Sequence, residues 1–137
     1  MKTILLAYDG SQPAIKAYDW AADLAAKYGA TLRVLMVARP PEFGDDVETE
    51  AVIESSRKHC RKVLDALREK TQAAGLAAQF EVTVGHPSEQ IILRAEEWGA
   101  DLIVMGHRGT GLLSRWLIGS AARQVIAYAP CAVMVVR

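Results

Sequence analysis

The chain has 137 residues, enough for one domain with a full apolar core and no need of disulfides or metals. Hydrophobic residues make up 51% and charged residues 23%, an ordinary globular balance. Sixteen basic residues offset sixteen acidic ones, and a net charge of zero argues against a nucleic-acid binder that works through an overall positive field.

Met1-Lys2-Thr3 leads into Ile4-Leu5-Leu6-Ala7, an apolar run too short for a signal peptide or a membrane span, so a cytoplasmic protein is expected. The run from Thr3 to Tyr8 reads as a first strand, stopped by Asp9-Gly10-Ser11. Gln12 to Tyr28 follows with apolar residues at Ala14, Ala17, Tyr18, Ala21, Leu24 and Ala25, close to a helical period, and Gly29 ends it. A second strand is expected from Thr31 to Ala38. The segment Arg39 to Glu48, with Pro40, Pro41 and the acids Glu42, Asp45, Asp46 and Glu48, reads as a mobile loop over the strand ends.

A helix from Thr49 to Ala74 carries apolar or small residues at Ile53, Cys60, Val63, Leu64, Leu67 and Ala74, and Gly75 closes it. Ala77 to Val84 is the third strand. Pro87 opens the third helix, where its missing N–H costs nothing, and Ile91, Ile92, Ala95 and Trp98 follow before Gly99. Asp101 to Met105 is the fourth strand, Ser120 to Tyr128 the fourth helix, and Cys131 to Val136 the fifth strand.

The strand runs are continuous rather than alternating, the mark of strands buried on both faces of a parallel sheet. One domain over residues 1–137 is expected, a doubly wound five-stranded parallel α/β sheet of order 3-2-1-4-5 with helices on both faces. Ligands bind such sheets beyond the carboxyl ends of the strands where the order reverses, here after strands one and four. Two cysteines, Cys60 and Cys131, read as reduced core thiols. His59, His86 and His107 show no zinc-ligand spacing with them.

After strand four stand Gly106, Gly109 and Gly119-Ser120. Glycines let backbone N–H groups approach an anion, and a helix N-terminus carries orphan donors that attract phosphate. Read without a ligand, the same residues are turn glycines, Ser120 a helix N-cap, and Asp9 a cap or an Asx-turn through Ser11. Arg108 and Arg115 read as solvated or as phosphate partners. His107 has nothing beside it that marks a base, and Trp20, Trp98 and Trp116 read as packing residues. There is no Walker lysine frame and no G-x-G-x-x-G after strand one.

The spacing Gly106-x2-Gly109-x9-Gly119-Ser120 resembles the G-2x-G-9x-G-(S/T) pattern of ATP-binding universal stress proteins. Tyr8-Asp9-Gly10-Ser11, Gly85-His86-Pro87-Ser88 and Pro130-Cys131-Ala132-Val133-Met134-Val135-Val136 are similar to the family's other strand exits and closing strand, so the resemblance spans the chain. It implies an adenine nucleotide alpha hydrolase-like fold and a small regulatory module of the stress response that binds ATP and Mg2+. Asp9 would reach the adenosine or metal side, the Val37 backbone the adenine, Gly106 the ribose, and Gly109, Gly119 and Ser120 the phosphates. A homodimer through the edge strand Cys131 to Val136 is implied as well, in line with the tendency of bare apolar edges to pair. Thr110-Gly111 and Arg115-Trp116 depart from common versions of the loop. Two further readings stand beside the binding module. One is a slow ATPase or phosphotransferase, with Asp9 on magnesium and Ser120 at the phosphoryl group. The other is a protein-interaction module without a ligand.

Overall fold

The computed structural model describes residues 1–41, 47–107 and 119–137, positions 47 and 48 by their backbone alone. The chain alternates strand and helix: β1 (Thr3–Ala7), α1 (Gln12–Tyr28), β2 (Thr31–Ala38), α2 (Val47–Ala73), β3 (Ala78–Val84), α3 (Pro87–Trp98), β4 (Leu102–Gly106), α4 (Ser120–Tyr128) and β5 (Ala132–Val136). The strands form one parallel sheet in the order β3-β2-β1-β4-β5. Fold class, strand order and helix spans agree with the expectation to within a residue or two. The largest shift is at α2, which starts at Val47 rather than Thr49 and ends at Ala73, leaving Ala74 exposed beyond the helix. Of the expected loop, residues 42–46 lie outside the described residues.

The continuous apolar runs explain the layers. In β1 the side chains of Ile4, Leu5 and Leu6 are each 0% exposed, because alternate residues point to opposite faces and both faces are covered. Each such burial contributes about 1.5–3 kcal/mol. Ile4, Leu6, Leu32, Val34, Met36 and Val104 pack on one face with Ala17, Tyr18 and Ala21 of α1 and Cys60, Leu64 and Leu67 of α2. Leu5, Leu35, Ile103 and Met105 pack on the other face with Ile91 and Ala95 of α3 and Ala122 and Val125 of α4. Both cysteines are free thiols, and burial pushes each above the usual thiol range. The α1–α2 layer also holds a polar tie that periodicity does not reveal. Thr71, 1% exposed, donates to the Leu67 carbonyl at 2.7 Å and shares a hydrogen bond with the Tyr18 hydroxyl at 2.9 Å.

The helices begin and end as their sequences dictate. Ser11 caps α1, its Oγ accepting from the Ala14 N–H at 3.3 Å, and left-handed Gly29 and Gly99 close α1 and α3. The far end of the sheet is pinned by Asp101, whose carboxylate accepts from the N–H groups of Lys2 and Thr3 at 2.7 and 3.0 Å. Those two bonds hold the Asp101 carboxyl below the usual carboxylate range.

At the other end β4 meets the start of α1. A Cβ built on Gly106 would lie 2.6 Å from the Pro13 carbonyl carbon and 2.8 Å from the Ala14 nitrogen. Both are backbone atoms, so nothing flexible can yield. Gly106 is therefore a close-approach glycine, whatever it does toward a ligand. Gly106→Ala should lower stability by about 1–3 kcal/mol, the range for overpacking. Urea denaturation checks this, and an unchanged midpoint would show that the two elements can separate at no cost.

Candidate functional site

Because all five strands run the same way, their carboxyl ends share one edge. β1 is flanked by β2 and β4, with Ala7 level with Leu35 on one side and Met105 on the other. The chain leaving β1 turns into α1 on one face, while α4, which follows β4, packs on the opposite face. Divergence at that point leaves a crevice. A cavity of about 390 Å3 lies there. It is within the range for small-molecule sites, about 300–1,000 Å3.

The turn after β1 forms one wall. Asp9 Oδ1 accepts from the Ser11 N–H at 3.0 Å and from the Ser11 hydroxyl at 2.5 Å, and left-handed Gly10 (φ 79°) allows the turn. The Asx-turn reading of Asp9 is thus correct, and Asp9 also lines the cavity. Tyr8 beside it donates its backbone N–H to the Leu35 carbonyl at 2.9 Å. Burial, then the charges of Asp9 and Asp19 and the nearby Tyr18, raise its phenol above the usual tyrosine range, so it enters the site as a neutral hydroxyl at physiological pH.

The start of α4 forms another wall. Gly119, with φ −59° and ψ 156°, holds the N-cap position and, having no side chain, makes no side-chain cap hydrogen bond to the helix. Ser120 is therefore the first helical residue and not the cap. The first intrahelical bond is made by Arg123, which donates to the Gly119 carbonyl at 3.0 Å. The N–H groups of Ser120, Ala121 and Ala122 precede it, and all three residues line the cavity. An uncapped helix start concentrates orphan donors and partial positive charge where an anion can reach them.

The cavity brings together five of the six residues marked in the sequence: Asp9, Val37, Gly106, Gly119 and Ser120. The sixth, Gly109, lies outside the described residues, as do Arg108, Thr110, Gly111, Arg115 and Trp116. Arg39, Pro87, Ile91 and Met105 also line it and were not singled out as site residues. Their signal was positional, since each stands at or beside a strand exit or at the start of α3 on the same edge. Among the described lining residues Asp9 is the one acid and Arg39 the one strong cation. His107 is 6% exposed and outside the lining, and its backbone N–H donates to the Val136 carbonyl at 2.6 Å, tying β4 to β5. Trp98 packs against the α3–α4 core with the Arg33 guanidinium 4.0 Å above its ring, whereas Trp20 is 53% exposed and is not a packing residue. Among the described residues no three acids, histidines or cysteines cluster as a metal cage, and no helix is long and apolar enough to cross a membrane.

The family model described as the universal stress protein family matches residues 1–137. The chain is 36% identical to a universal stress protein of Thermus aquaticus, over 99% of this chain and 98% of that one. Among solved structures, universal stress protein UspA from Lactobacillus plantarum superposes with a TM-score of 0.84 at 28% identity, covering 99% of this chain and 97% of that one. A universal stress protein solved in complex with cAMP superposes with a TM-score of 0.78 at 25% identity, covering 99% and 97%. A match over the whole length, in both sequence and fold, leaves one conclusion: the chain belongs to the universal stress protein family.

Proposed function

We propose that the chain is a regulatory module that binds an adenine nucleotide, ATP with magnesium, in the cavity at the carboxyl edge of the sheet. The observation that carries this reading is the start of α4, where the N-cap is a glycine and the first-turn residues Ser120, Ala121 and Ala122 line a cavity of nucleotide-compatible size. The similar universal stress protein in complex with cAMP supports an adenine nucleotide as the ligand class.

In this reading the phosphates sit at Gly119 and Ser120, with Gly109 contributing from the preceding segment. Gly106 borders the ribose, and the Val37 backbone meets the adenine beside the apolar Leu35 and Ile91. Magnesium is a hard ion that keeps waters and is held through one or two carboxylates plus phosphates. Asp9, the one acid among the described lining residues, fits that mode, so magnesium would enter on the nucleotide with Asp9 as its protein-side acid. The assembly proposed is a symmetric dimer through β5, a sheet edge on which Val133, Met134 and Val135 are only half-buried.

Calorimetric titration of ATP and magnesium into ligand-stripped protein should give saturable one-to-one heat. Gly119→Val should abolish it, because the extended backbone at Gly119 accepts any residue while the added side chain crowds the α4 donors. Absence of heat from folded wild type would overturn the nucleotide reading. For the dimer, light scattering at micromolar concentration should return twice the chain mass, and a monomer there would contradict pairing through β5.

A further inference from the structure

Two helices begin at the same cavity. His86 and Gly119 stand at the N-caps of α3 and α4, and neither start has a side-chain cap hydrogen bond. From α3, Pro87 and Ile91 line the cavity, and from α4, Ser120, Ala121 and Ala122 line it. Between the helices lies an apolar contact in which Ile91, Ala95, Ala122 and Val125 share one core cluster. Contacts of that kind are non-directional, and packed helices can make small sliding shifts against one another.

One side-chain bond across this contact is directional. The Ser88 hydroxyl donates to the side-chain amide oxygen Oε1 of Gln124. Ser88 is 6% exposed and directly follows Pro87, while Gln124, an exposed residue, stands one turn after Ser120. A serine in the first turn of a helix can satisfy its own helix's free N–H groups. Here the hydroxyl is turned instead to the neighbouring helix.

We infer that Ser88 and Gln124 are positioning residues that fix the axial register of α4 against α3, and with it the place of the α4 donors relative to the rest of the cavity. The inference rests on the nucleotide-binding reading and deepens it. Neither residue touches the ligand. Their bond sets where the phosphates are met, while the floor that meets the base, made by β1 and β2, stays where the sheet holds it.

The consequence is a phosphate-dependent effect. Ser88→Ala and Gln124→Leu, titrated calorimetrically with ATP and with adenosine, should each weaken ATP by about two- to tenfold, the worth of one hydrogen bond. Adenosine, which has no phosphate, should bind as it does to wild type. The double variant should be no weaker than the weaker single, as expected for two partners of one bond. Gln124 is exposed, so its substitution keeps the test open if Ser88→Ala fails to fold. Equal losses for ATP and adenosine, additive losses in the double variant, or unchanged ATP affinity would overturn the positioning role while leaving the nucleotide reading intact. A wild type that binds neither compound would remove both.

Discussion

Parallel pairing of all five strands is the constraint from which the rest of the molecule follows. It forces each connection to cross back over a face of the sheet, which is why the strands are apolar on both sides and the helices are amphipathic. It also gathers every strand exit and every helix start on one edge. β1 and β4 are neighbours there, yet their following helices leave for opposite faces, and the gap between them is the cavity. The site is thus a by-product of topology, and particular residues only shape it.

The shaping residues do structural work and present groups to the cavity at once. Gly106 admits the backbone of Pro13 and Ala14, which seats α1 hard against β4. Asp9 ties the turn through Ser11 and still faces the cavity. Gly119 starts α4 without filling the space in front of its donors. A fold role at these positions therefore does not count against the proposed binding role.

How much was legible in the sequence depended on how local the signal was. β1 is fully buried on both faces, and its run of Ile4, Leu5 and Leu6 is unmistakable. Gly29 and Gly99 closed their helices where left-handed residues were expected. The start of α2 was harder, because Val47 enters the helix ahead of Thr49 after a segment rich in acids and prolines. In the site, the glycine spacing marked Gly106, Gly119 and Ser120, which do line the cavity, but Arg39, Pro87, Ile91 and Met105 come from separate elements and meet only through sheet order and register. Read without a ligand, Ser120 is a candidate cap because serine favours that position, whereas the glycine before it takes the role. Helical periodicity does not single out Thr71, and only the packing of α1 on α2 reveals its bond to Tyr18.

The central claim is that the first-turn N–H groups of α4 meet the phosphate of an adenine nucleotide. An amide nuclear magnetic resonance titration of stripped, isotope-labelled protein reads those groups one by one. The account predicts that AMP shifts the amide signals of Ser120, Ala121 and Ala122 strongly and adenosine shifts them little, while both compounds move Tyr8 and Val37. Shifts confined to other surfaces, or α4 signals that respond equally to AMP and adenosine, would contradict it.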